Sequence, residues 1–113
     1  MAGLINAMQN KKRVIGFSSL KGGSFLEEEI KKFIQPGLAN WEIKTEYHFG
    51  GYGKRSKEAD DFIIEQKTKY DLPLDEVYTA KMMMGIYEEI RKGNFKRGST
   101  ILAIHTGGLQ GNY

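Results

Sequence analysis

The sequence predicts an α/β fold, a three-layer arrangement around a mostly parallel sheet, in a single domain over residues 1–113. Three observations carry that prediction. Val14-Ile15-Gly16-Phe17 is a short apolar run with turn residues behind it, as a buried strand requires. Trp41, Ile43, Thr45, Tyr47 and Phe49 alternate with polar residues, and Thr100-Ile101-Leu102-Ala103-Ile104 is continuously apolar. Helical spacing fills the intervals, and strands that alternate with helices build parallel sheets. A chain of 113 residues suits one domain, and 40% hydrophobic with 27% charged residues describes a sequence that buries a core.

Taken in order, the chain opens with Met1, Leu4, Ile5 and Met8 at helical spacing, with neither a cap nor a preceding strand. Two readings stand: a short native helix packed on the domain, or the interior of a larger protein entered partway. The first strand is expected near 13–19, followed by a turn at Lys21-Gly22-Gly23. Ser24 with Glu27 three residues on forms a capping-box pattern. Leu26, Ile30, Phe33 and Ile34 then mark one helical face, with Glu27–Lys31 and Glu28–Lys32 pairs along it, and Pro36-Gly37 ends the helix. The second strand is expected over 41–48 with one wet face, and Gly50-Gly51-Tyr52-Gly53 breaks it. A helix follows Ser56, with Ala59, Phe62, Ile63, Gln66 and Tyr70 inward. Asp75 is the expected N-cap of the longest helix, about 76–92, closed by Arg91, Lys92 and Gly93. That helix is apolar around much of its circumference, which predicts packing on two sides. The 100–105 strand, apolar on both faces, is expected inside the sheet.

Composition removes several classes of function. There is no cysteine, hence no disulfide, thiol nucleophile or thiolate metal site. His48 and His105 are the only histidines, too few for an all-histidine metal centre. A net charge of +3 is mild for a nucleic-acid binder. Lys54, Arg55 and Lys57 beside Tyr52 make a weak patch, so no nucleic-acid partner is expected. No apolar run reaches the roughly 18 residues that span a bilayer, and no signal peptide is visible, so no membrane partner and a cytoplasmic location are expected.

Open α/β sheets bind ligands at the carboxyl ends of their strands. Three glycine-bearing turns are expected there: Lys21-Gly22-Gly23-Ser24, Gly50-Gly51-Tyr52-Gly53 and His105-Thr106-Gly107-Gly108. Glycine lets backbone approach a ligand closely, although glycines more often simply make turns. Gly22-Gly23-Ser24 matches neither the P-loop nor the dinucleotide fingerprint. Tyr78 can serve as a general acid, and Lys81 as an amine nucleophile, but spacing alone favours a packed tyrosine and a solvated lysine. Met82-Met83-Met84 reads as core filling.

The run Leu74-Asp75-Glu76-Val77-Tyr78-Thr79-Ala80-Lys81-Met82, followed by Gly93 and by Ile104-His105-Thr106-Gly107-Gly108, resembles the end of the D-cysteine desulfhydrase and aminocyclopropane-carboxylate deaminase family. These are pyridoxal-phosphate enzymes of fold type II, the tryptophan-synthase β-like group. Gly51-Tyr52-Gly53 is similar to that family's glycine-tyrosine-glycine loop, and Met1-Ala2-Gly3-Leu4 to the residues just after its phosphate loop. The resemblance covers essentially the whole chain. It implies the C-terminal third of a lyase or deaminase that acts on a small amino acid, within a larger fold type II domain. Carried over by position, Tyr52 and Tyr78 correspond to the two substrate-facing tyrosines. Thr106 corresponds to the hydroxyl on the pyridine nitrogen, with Thr79 and Gly107 beside the cofactor. Thr79 stands where deaminase members carry glutamate, which favours the desulfhydrase-like branch. Glu76 and Ala80 depart from the family's proline and glycine.

The resemblance further implies pyridoxal phosphate in the intact protein and none in this chain alone, because the Schiff-base lysine and the phosphate loop lie outside it. An inactive chain with exposed apolar surface, prone to self-association or a homodimer, is then expected. The competing reading is a free-standing α/β binding domain without catalysis.

Overall fold

The computed structural model describes residues 1–51, 54 and 56–109. Helix α1 (Ala2–Met8) leads into strand β1 (Val14–Phe17). A 3-10 turn (Gly23–Phe25) and helix α2 (Leu26–Lys31) carry the chain to strand β2 (Trp41–Lys44). Helices α3 (Lys57–Tyr70) and α4 (Thr79–Arg91) follow. Among the described residues the sheet has two strands, paired in parallel with Val14 opposite Trp41 and Phe17 opposite Lys44. The unit is thus a β–α–β crossover with α4 packed on β1 and α2 along β2. The α/β class and the parallel pairing are as the sequence predicts; the three-layer arrangement is not reached.

The third strand is the main correction. Residues 100–105 form no strand and are exposed, with Leu102 at 84% and Ile104 at 43%. Apolar composition reports a preference for burial but names no partner. β1 and β2 pair with each other, and Thr100–Ile104 joins neither. β2 is also half the expected length, because its ladder ends where β1 ends. The Ser18 N–H donates to the Lys44 carbonyl at 2.9 Å. The Ser18 hydroxyl then accepts the Leu20 N–H at 3.1 Å and turns the chain away.

Helix α1 begins at the second residue, as its spacing predicts, and buries Ile5. A Cβ added to Gly16 would lie 2.5 Å from the Met1 sulfur, so β1 is open to the helix at that point. Two amides that sequence reading passed over fasten this end. Asn10 Oδ1 accepts from the Ala39 and Asn40 N–H groups at 2.9 and 3.0 Å, and Asn6 Oδ1 from Gln35 N–H at 2.8 Å. The Ser24–Glu27 capping box does not form, since Gly22 at φ 71° starts a 3-10 turn that places Ser24 inside it. Glu27 pairs with Lys31 as predicted, but Lys32 pairs with Glu29 instead of Glu28. The Ser56 hydroxyl caps α3 by accepting the Ala59 N–H at 3.1 Å. Tyr70, expected inward, is 64% exposed.

Helix α4 is the centre of the packing. Ala80, Met84, Gly85 and Ile86 are buried, with β1 against one side and α3 against another, as its broad apolar circumference predicts. A Cβ on Gly85 would meet Phe17 Cε1 at 2.6 Å, so the glycine sets how closely the helix approaches the strand. The Phe17 and Tyr47 rings lie 5.9 Å apart beside it. Tyr47 donates its hydroxyl to the buried Glu89 carboxylate at 2.8 Å, and Lys44 and Asn94 also reach that carboxylate. Burial would raise the Glu89 pKa, but these partners outweigh it and hold it below the usual carboxylate value.

Candidate active site

The start of α4 organises the predicted site. Asp75 is almost fully buried and accepts four hydrogen bonds from the turn that follows it. Oδ1 takes the Val77 and Tyr78 N–H groups at 2.8 and 2.7 Å, and Oδ2 takes the Thr79 N–H and hydroxyl at 2.9 and 2.6 Å. The sequence expects Asp75 at the N-cap of a helix from residue 76; instead the α-helix begins at Thr79 with Tyr78 at its N-cap, and Asp75 braces the turn that leads into it. The carboxylate draws three successive N–H groups to itself and folds 76–78 into a turn. Burial pushes the Asp75 pKa up; the Thr79 hydroxyl and the three backbone N–H groups more than offset this and leave it lowered.

The His105–Gly108 turn docks on this carboxylate. A Cβ added to Gly108 would lie 3.0 Å from Asp75 Cγ, and Gly108 has φ +87°, so only glycine fits without strain. Imidazole Nδ1 of His105 accepts the Gly107 N–H at 3.1 Å, so Nε2 carries the proton and donates to the Pro73 carbonyl at 2.8 Å. The two motifs singled out in the sequence, 74–82 and 104–108, thus meet in space.

The other two glycine turns are drawn to the same region. The Lys81 ammonium, 1% exposed, donates to the Gly51 carbonyl at 2.7 Å. A Cβ added to Gly51 would lie 3.6 Å from Lys21 Cβ, so the 21–23 and 50–51 turns are neighbours. They follow the ends of parallel strands, which places both at one sheet edge.

Of the residues named from the sequence, Tyr78 lies at the N-cap of α4 and is 49% exposed. Thr106 is exposed on the turn that docks by Asp75, and Gly107 is half-buried with its N–H given to His105. Thr79 is 2% exposed and its hydroxyl is committed, donating to Asp75 Oδ2 and accepting the Asp75 N–H at 2.9 Å. Tyr52 lies outside the described residues. Lys81, read as a solvated helix residue, was the side chain that sequence reasoning misplaced.

A separate cleft of about 760 Å³ opens between α3 and α4, where Phe62 and Tyr87 meet edge to face at 5.7 Å; Tyr78, Thr79, Thr106 and Gly107 do not line it. Among the described residues, no group of three His, Cys, Asp or Glu side chains is placed to hold a metal ion. None of the described helices is long and apolar enough to cross a membrane.

No family model matches the sequence. Individual proteins do. A protein of Pyrococcus furiosus, named provisionally as a 1-aminocyclopropane-1-carboxylate deaminase, is 32% identical over 114 residues, covering 94% of this chain and 34% of its own length. Its counterpart in Pyrococcus abyssi, with the same provisional name, is 44% identical over 106 residues, 87% of this chain and 32% of its own. The 1-aminocyclopropane-1-carboxylate deaminase of Rhizobium radiobacter is 35% identical over 66 residues, 58% of this chain and 20% of its own. The chain spans about a third of the length of the archaeal relatives it matches.

Proposed function

Since the chain belongs to the 1-aminocyclopropane-1-carboxylate deaminase family, of whose members it spans about a third, we infer that it forms the substrate- and ring-facing part of a pyridoxal-phosphate-dependent lyase or deaminase. The substrate is a small amino acid, and the intact fold is a larger fold type II domain. The observation that supports this reading is the docking of the His105–Gly108 turn, which carries Thr106, on Asp75 and Pro73 just before α4.

Pyridoxal phosphate, when bound, supplies an electron sink for charge that develops on the substrate's α-carbon. The residues present fit part of that group's needs. Thr106 offers an exposed hydroxyl for the pyridine nitrogen, and Gly107 and Gly108 at φ +100° and +87° bring backbone close without a side chain. A neutral hydroxyl withdraws less electron density from the ring than a carboxylate partner would. Tyr78, with Tyr52, orients the substrate and holds or moves a proton at its phenolic oxygen. Thr79 acts through Asp75, because its hydroxyl is already spent there. With threonine at that position, the desulfhydrase-like branch is favoured for the substrate.

The chain alone is inactive in this reading and holds no cofactor, because the Schiff-base lysine and the phosphate loop are supplied from outside it. One hydroxyl bond contributes about 0.5–1.5 kcal/mol, against roughly 8 kcal/mol for micromolar binding. Pyridoxine 5′-phosphate, which has the ring and phosphate but no aldehyde, tests this. In an NMR titration of the purified chain it is expected to shift the amides of Tyr78, Thr106 and Gly107 without saturating at millimolar concentration. Pyridoxal phosphate at one equivalent is expected to leave no stoichiometric borohydride-trapped adduct. Shifts that bypass those three residues, or a stoichiometric adduct, would overturn the reading.

A further inference from the structure

The Gly50–Gly51 turn holds a backbone that does not stand by itself. Phe49, Gly50 and Gly51 have φ of 48°, 95° and 119° in succession. A non-glycine residue in the left-handed region costs on the order of 1–3 kcal/mol and persists only where its surroundings over-determine it. Among the described residues the turn is braced within itself by the Gly51 N–H to the His48 carbonyl at 3.1 Å and the Gly50 N–H to His48 Nδ1 at 3.2 Å.

The Gly51 carbonyl is the point at which something else takes hold. It accepts the Lys54 N–H at 3.1 Å and the Lys81 ammonium at 2.7 Å. Lys81 reaches it from 30 positions along the chain and is 1% exposed, and among the described residues no carboxylate pairs with its ammonium. Burying an ammonium against a neutral carbonyl acceptor is unfavourable, and desolvation lowers its pKa. A methionine or leucine would fill the same space without that cost, so packing alone does not account for an amine at this position.

We propose that Lys81 is a positioning residue: its ammonium latches the Gly51 carbonyl and so fixes the Gly50–Gly51 turn against the start of α4, beside the Lys21–Gly23 turn. Asp75 and Lys81 then stand as an anion and a cation on successive turns of one segment, Asp75 packed against Gly108 and Lys81 bonded to Gly51. What the held turn serves rests on the proposed function; that Lys81 holds it stands on the geometry.

Amide hydrogen exchange of the 113-residue chain, read by NMR, tests it with Lys81→Met and Lys81→Arg. Lys81→Met is expected to speed exchange of the Gly51 and Lys54 amides roughly tenfold relative to those of β1 and α4. Lys81→Arg, which retains a charged donor, is expected to restore most of the protection. Unchanged exchange in Lys81→Met, or an equal rise at every amide, would overturn the proposal. If Lys81→Met does not fold, the wild-type chain decides: the Lys81 ammonium protons should exchange with water markedly more slowly than those of the exposed lysines, and equal rates would overturn it. A pyridoxine 5′-phosphate titration that moves none of Tyr78, Thr106 and Gly107 would remove the functional reading and leave the latch standing.

Discussion

Asp75 shows how one side chain sets the local order of the candidate site. Its four accepted hydrogen bonds fold 76–78, start α4 and provide the surface on which Gly108 rests. Because the folded-state pKa lies below the ordinary value, this carboxylate contributes stability that is complete above the unfolded pKa, near 3.9, and is lost as pH falls through the lower folded value. Glu89, also lowered, acts in the same direction. Asp75→Ala is expected to cost about 0.5–2 kcal/mol at pH 7. Asp75→Asn should lose less stability than wild type between pH 6 and pH 3, because amides do not titrate. Urea unfolding at the two pH values checks both statements, and an acid dependence that is the same in wild type and Asp75→Asn would contradict the assignment.

At the scale of elements, what was legible in the sequence is what local chemistry dictates. β1 followed from its apolar run, β2 from its period-two alternation, the start of α3 from Ser56, and the turn before α4 from Asp75. What was not legible depends on partners. The run at 100–104 carries the composition of an inner strand, yet a ladder needs a neighbour that composition does not supply. The Lys81–Gly51 bond joins positions 30 apart, and no spacing rule reaches that far. The close approach of α4 to β1 was hidden for the same reason, since Gly85 reads as a weak helix residue until Phe17 is seen against it. Gly85→Ala makes that contact measurable. Helix propensity alone would stabilise by roughly 0.8–1.0 kcal/mol, but a methyl 2.6 Å from the Phe17 ring forces overpacking, which costs about 1–3 kcal/mol. The expected net result is a lower Tm by circular dichroism; a higher Tm would show that the ring moves aside freely.

The whole molecule exposes more surface than its mass calls for. It presents 7691 Å², where a compact monomer of 12.8 kDa presents about 6,300 Å². The excess, about 1,400 Å², is comparable to the area that a standard protein interface removes from water. It includes large apolar side chains: Leu102 is 84% exposed, Phe33 71%, Ile64 63% and Phe25 54%. Exposed apolar area of this kind drives association, so the chain is expected to self-associate, with the 100–104 segment as the main contributor. Sedimentation velocity across a concentration series should show a weight-average mass that rises above 12.8 kDa. Leu102→Lys should weaken the association roughly tenfold or more, since burying a leucine side chain contributes about 1.5–3 kcal/mol. Because the residue is exposed in the monomer, the same substitution should change folding stability by no more than about 0.5 kcal/mol. That separation distinguishes an interface residue from a core residue: loss of folding in Leu102→Lys would mean the segment is packed in solution. A constant mass of 12.8 kDa at every concentration would mean that the apolar surface stays open without a partner.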